Sequence, residues 1–599
     1  MFPQILRSRK LPLFVAVLAI SSLSSTLASA GTVAVKPGAN IVSLVNSNPA
    51  GTTFLIYPGT YRLTAPIAPK TGDRFIGQTT CAPPNTACPA ILSGSRVLTS
   101  FQHSGSYYYA TGQTQQGQTL ITSAQCMSGY PGCMYPEDLF FDQKPLLHVT
   151  SLADVVSGTW YFDYSTKTIY FYDNPSGHTV ETSVIPAAFQ STANDVTIEY
   201  LTIKEFAVPT TLGAIGISGN ASTTLGANWV IDDNEVLLNH GAGVRVNFGY
   251  RIVNNYLHNN GELGISGGTL TNAGPDGLTA PSLASGILIQ GNQIAYNNYS
   301  YVLPESGAGG VKLGNTRGVV LRGNYIHNNL GDAFHADTNN IDTLAEGNTV
   351  SYNTEQGLFS EIGYSAIFRN NILVGNGYTH PNGTDWLYAA SILSSNSQNV
   401  SAYCNTIEVV AQGGNAMSII EQSRPGYSAQ GNYFHHNTVI FEGNSGWSGL
   451  ATPLTDAAFY TSNKSDYNQY HEPNLTTHSY PYMKAVHDFA QFQADGAEPN
   501  GTADTNYLSN APVVTITSPA EGATVSGTVA IKGTATDSAG IGKIELFLDW
   551  NQIATASGTS PFTLDWNASN ATAGAHIVTV MAFSTSGVRS CYATNVNVP

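Results

Sequence analysis

The chain has 599 residues, of which 10% are charged and 42% apolar, with 59 Gly, 29 Pro, 32 Tyr and 23 Phe. An ordinary soluble domain is about 25% charged. This composition can build a large core, but it lacks the helix formers of a bundle and the Pro and Gly content of a disordered or collagenous chain, so it reads as all-β. A net charge of −16 repels phosphate backbones and excludes nucleic acid as a partner, and a polyanionic sugar would need a metal or a local basic patch.

Arg7, Arg9 and Lys10 precede an apolar run from Leu11 to Leu23, followed by Ala28-Ser29-Ala30. A charged start, a short apolar stretch and a small-x-small site predict a secretory signal over residues 1–30. The run falls short of the roughly 18 apolar residues of a membrane anchor. The expected product is exported, extracellular or periplasmic, monomeric and without a membrane span.

Residues 31–80 are expected to cap the core and form the first coils. Residues 81–182 read as a β insert with aromatic strands such as Trp160-Tyr161-Phe162. Cys81/Cys88 and Cys126/Cys133 lie seven apart in Pro- and Gly-rich surroundings and predict two small disulfide loops. Cys404 and Cys591 are left as either free thiols or a pair.

From about Asp195 to Tyr470 a phrase recurs: Asn, any residue, an apolar residue, two more, and often a second Asn. It begins at Asn234, Asn255, Asn292, Asn324, Asn348, Asn371, Asn405 and Asn432. A base period near 23 with insertions predicts a solenoid of roughly eleven coils, each holding two or three short strands. Asn suits a sharp turn at one place in every coil because it tolerates the left-handed conformation, and stacked amides can hydrogen-bond along the ladder. Met483 to Gln493 reads as a closing helical turn. After Pro512 the texture changes to strands at 8- to 12-residue spacing, which predicts a small antiparallel sandwich over 512–599 with no catalytic features.

On these features, residues 31–510 resemble the secreted right-handed parallel β-helix proteins of the pectate-lyase-like superfamily. Ile56-Tyr57-Pro58-Gly59-Thr60-Tyr61 looks like that superfamily's first coil, and Phe140 to Tyr172 resembles a β insert of its carbohydrate-active members. The C-terminal sandwich resembles bacterial Ig-like modules. The resemblance implies a poly- or oligosaccharide partner, but the fold hosts lyases, hydrolases, epimerases and adhesins. The motifs of the polygalacturonase branch and of the alginate epimerases are missing.

Equal phase on successive coils supplies a candidate site. Eight residues beyond Asn329 stands Asp337, and eight beyond Asn353 stands Glu361. Counting back 25 from Asp337 reaches Lys312, placed one residue out of phase. Two acids stacked at about 5 Å match the carboxyl spacing of a retaining glycosidase and resemble the β-helical β-xylosidase family. That resemblance implies Asp337 as nucleophile and Glu361 as acid/base, with the neighbouring negative charge expected to raise the pKa of Glu361. His335 could bind a sugar hydroxyl, and Trp386 and Tyr388 could stack on a ring. Glu421 is a further candidate acid, whereas His240, His258 and His327 read as outward turn residues. The hydrolase needs no cofactor. The alternatives are a polysaccharide lyase with Lys312 as base and calcium on Asp337 and Glu361, a non-catalytic glycan-binding or adhesion solenoid, and a carboxylate pair that merely solvates the edge.

Overall fold

The computed structural model of the chain describes residues 31–216, 226–268, 283–380, 386–452, 457–476, 480–483 and 485–599. The expected signal segment lies outside them. Three parallel sheets wrap one core: two of 13 strands and one of ten. A representative coil runs Val320–Arg322 on the first sheet, Tyr325–His327 on the second and Asp332–Ala336 on the third. In a three-residue strand only the central side chain faces inward. Leu321, Ile326 and their equivalents on neighbouring coils are accordingly buried in one continuous core. Between Asp195 and Tyr470 the first sheet has ten strands rather than eleven, because several coils carry loops that stretch the repeat well beyond 23 residues.

The recurring Asn residues form a ladder through the protein. Each Asn side-chain oxygen accepts a hydrogen bond from the backbone N–H and the amide of the Asn one coil before it. The chain runs Asn234, Asn255, Asn292, Asn324, Asn348, Asn371, Asn405, Asn437 and Asn468. Glu498, fully buried, ends it by accepting from Asn468. A second ladder on the other side of the same strands joins Asn239, Asn260, Asn297, Asn329, Asn353 and Asn376. The ladder Asn is not the turn residue: the left-handed conformation belongs to the residue before it, as in Asp233, Asn254, Asn370 and Cys404. The phrase at Asn432 is out of phase, since Tyr433–His435 pairs with Ser401–Tyr403 on the first sheet, and Asn437 continues the ladder instead.

The insert builds a five-stranded and a four-stranded sheet, and Cys81–Cys88 and Cys126–Cys133 are disulfides. The expected closing turn is a hairpin, Tyr480–Tyr482 with Ala485–His487, followed by helix Phe489–Ala494. The C-terminal region is a sandwich of a three-stranded and a five-stranded sheet with its own core around Ile531, Leu546, Trp566 and Val580. It is tied to the solenoid. Cys404 and Cys591, left open on sequence, are joined as a disulfide. Asn370 exchanges two hydrogen bonds with the backbone of Ala593, and fully buried Arg369 bridges Glu346 of the solenoid and Glu521 of the sandwich.

Candidate active site

Strands Gly309–Leu313, Asp332–Ala336 and Leu358–Glu361 lie on consecutive coils of the third sheet. Register places Lys312 opposite His335 and His335 opposite Phe359. Lys312 is therefore two residues out of phase with Asp337, not one. Because side chains alternate with period two, that correction puts Lys312, His335, Asp337 and Glu361 on the same outward face. All four line one cavity of about 520 Å³, together with Asp332, Glu355, Tyr388 and Arg424.

One ligand atom each from His335, Asp337 and Glu361 lies within 4.8 Å of the others. Lys312 Nζ is 3.2 Å from Asp337 Oδ2. Thr338 donates to Asp337 Oδ1 from its backbone N–H at 2.6 Å and from its hydroxyl at 2.9 Å. His335 Nε2 is 3.0 Å from Glu361 Oε2, and its Nδ1 makes an ion-pair contact of 3.1 Å with Asp332 Oδ2. Its ring stacks on Phe359 at 4.3 Å, and Arg424 pairs with the other oxygen of Glu361.

The charges decide the protonation states. Burial pushes the Asp337 carboxyl up, but His335, Lys312 and the Thr338 hydrogen bonds outweigh it and hold the pKa well below the usual carboxylate range. Burial and Lys312 disfavour a charged His335 ring, yet the hydrogen bonds to Asp332 and Glu361 raise its pKa. For Glu361 the expected direction is reversed. Burial and the charge of Asp337 push its pKa up, while the His335 hydrogen bond and the Arg424 charge pull it below the ordinary value. These shifts place the exchangeable proton on His335, hydrogen-bonded to an ionised Glu361.

Tyr388 lines the cavity beside Phe359. Trp386 does not; it packs with Leu387, Tyr388 and Trp447 in an adjoining apolar cluster. Glu421 lies outside the lining and accepts from the Ala429 N–H. His240 is no outward turn residue: it is buried between Asp138 and the carbonyl of Cys133 in the insert. His327 is also buried, with its ring against Tyr325, whereas His258 keeps partial exposure beside Glu235.

Arg424, Asp332 and Glu355 were not singled out from sequence. Asp332 stands three residues before His335 on the same strand, an odd offset that strand alternation assigns to the other face, so the spacing gives no signal for it. Arg424 is carried by an irregular segment that no repeat phase locates. The three donor groups are disposed as a cation site, but calcium does not fit: Lys312, His335 and Arg424 already neutralise the carboxylates it would need, and each would have to be displaced.

Residues 213–407 match the family described as right handed beta helix region, and residues 512–580 match the bacterial Ig domain. No curated protein matches the sequence significantly. Among solved structures, the complex of XylC with xylose is similar at 13% identity and a TM-score of 0.52, covering 86% of this chain and 91% of that one. The A-module of mannuronan C-5 epimerase AlgE4 from Azotobacter vinelandii is similar at 12% identity and TM-score 0.41, covering 77% and 93%. Lacto-N-biosidase from Eubacterium ramulus follows at 11% identity and TM-score 0.29, covering 79% and 67%. Among the described residues no helix is long and apolar enough to cross a membrane. The chain is a right-handed parallel β-helix protein with a C-terminal bacterial Ig-like module.

Proposed function

We propose that the protein is a secreted glycoside hydrolase that cleaves a poly- or oligosaccharide with retention of configuration. The observation that carries this reading is the pair Asp337 and Glu361, on adjacent coils of one cavity, with side-chain oxygens within 4.8 Å. Inverting enzymes hold their carboxyl groups about 6.5–9.5 Å apart to admit a water, and retaining enzymes about 5–5.5 Å. The resemblance to XylC, a structure solved with xylose, supports a sugar as the substrate class.

Asp337, kept ionised by Lys312, attacks the anomeric carbon as the glycosidic C–O bond breaks. The departing oxygen takes a proton that passes from His335 through Glu361 across their hydrogen bond, which leaves His335 neutral and Glu361 ionised. In the second step Glu361 accepts a proton from water, the water oxygen attacks the anomeric carbon, and the ester to Asp337 is released. Lys312 is committed to Asp337 as its counter-ion, which favours hydrolysis over a lyase reaction with Lys312 as base. Three disulfides among the described residues suit an oxidising compartment and support export.

A screen of plant and microbial polysaccharides for reducing ends and for ultraviolet-absorbing unsaturated ends tests the reading. Reducing ends without unsaturation, lost in Asp337→Asn, are expected. Unsaturated products, or no product from any substrate, would overturn it.

A further inference from the structure

The second sheet carries a line of exposed rings that neither the core nor the cavity uses. Asn259, Tyr296, Asn328, Tyr352 and Gly375 follow the paired strand residues His258, Ala295, His327, Ser351 and Val374, so they stand at one phase on five successive coils. All five are left-handed. Asn and Gly are the residues that conformation favours, and a bulky residue there is strained. Tyr296 and Tyr352 gain little burial in return, being 47% and 42% exposed. Tyr325, on the coil between them, is 42% exposed and rests on His327 at 3.9 Å. Three open rings at a strained or edge position are poor choices for packing alone.

The line continues into a groove of about 660 Å³ between the second sheet and the C-terminal module, with Ile372, Glu408, Glu442, Leu508 and Asp537 among its walls. Among the described residues no Lys or Arg lines it. A hydrogen bond with Glu442, then burial, raises Glu408 to about 7; that bond takes up the shared proton, so the pair offers sugar hydroxyl groups carboxyl oxygens that accept. An anionic chain would meet only acids here, whereas an uncharged polyol would not be repelled.

We propose that this surface is a second, non-catalytic binding site for an uncharged, extended polysaccharide, which lies along the solenoid axis with its sugar faces on Tyr296, Tyr325 and Tyr352. Coils rise by about 4.8 Å, which is close to the length of one pyranose unit in an extended chain. Tyr296 and Tyr352, two coils apart, then meet alternate sugars. The apolar face of a pyranose covers a tyrosine ring while the phenol remains wet.

Affinity electrophoresis of the full chain in gels containing neutral arabinoxylan, β-glucan or glucomannan, with polygalacturonate as the acidic control, tests this site. At least one neutral polymer should retard the protein. The variant Tyr296→Ala/Tyr325→Ala/Tyr352→Ala should bind about tenfold more weakly or worse, the equivalent of about 1.4 kcal/mol, with an unchanged unfolding temperature. Tyr172→Ala, a change at another exposed tyrosine (45%) on the insert, should bind like the parent. Retardation is read without turnover, so a chain that hydrolyses nothing can still show it, and failure here leaves the hydrolase reading standing. Equal retardation of the triple variant, retardation by polygalacturonate alone, or none by any neutral polymer would overturn the proposal.

Discussion

Replacing Lys312 by Met separates the two chemistries this cavity could support. Lys312 Nζ lies 3.2 Å from Asp337 Oδ2, and the two side chains are 23% and 26% exposed. At an effective dielectric of about 20, Coulomb attraction at that distance is worth roughly 5 kcal/mol; solvent screening at a partly exposed pair leaves a pKa effect of about 1–3 units. Asp337 owes its depressed pKa to His335 and Lys312 together, so Met should raise it by that amount without restoring an ordinary carboxyl. The assay is kcat/KM against pH on any glycoside the protein cleaves. The acid limb, where Asp337 takes up a proton and stops acting as a nucleophile, should move to higher pH by about 1–3 units, while the neutral plateau falls modestly. If activity vanishes at every pH, Lys312 is the base and the reaction is a lyase's. An acid limb that does not move would show that the ion pair does not tune Asp337.

Four further outcomes follow from the same contacts. The basic limb of kcat/KM should fall as pH rises through the raised pKa of His335, because the His335–Glu361 pair then loses the proton that the leaving group needs. Glu361→Gln should spare aryl glycosides with acidic leaving groups and disable poorer ones, as a comparison of kcat across leaving groups will show. Asn348→Ala removes an amide that donates to Leu321 and Asn371 and whose oxygen accepts twice from Asn324; leaving those buried groups unsatisfied should cost about 3 kcal/mol, read by denaturant unfolding. Cys404→Ser/Cys591→Ser opens a span of 187 residues, worth about 5 kcal/mol on the loop-entropy model. It should therefore lower Tm more than loss of either seven-residue loop.

The solenoid was legible because its coils repeat a buried amide that has few substitutes. Asn324, Asn348 and Asn371 recur for the hydrogen bonds they exchange, and a residue at fixed offset from such a marker inherits its phase, which is how Asp337 and Glu361 were paired. The same logic misled where the marker was ambiguous. Asn432 has the same flanking pattern but belongs to the neighbouring sheet, and the count from Asp337 back to Lys312 missed a shorter coil. Phase does not reach Arg424, which enters the cavity from an irregular segment, and the Glu361 shift turns first on the hydrogen bond from His335, a side-chain contact that phase alone does not give. The Cys404–Cys591 bond was equally hidden, because it joins two units whose docking no local pattern encodes.

Retention through Asp337 requires a covalent bond between its carboxylate and the substrate sugar. Incubation with a 2-deoxy-2-fluoro glycoside of the cleaved sugar, carrying a good leaving group, slows release of the intermediate and allows it to be mapped by peptide mass spectrometry. One glycosyl adduct is expected, on the peptide containing Asp337 and absent from Asp337→Asn. An adduct on another carboxylate, or inverted product with no adduct at all, would contradict it.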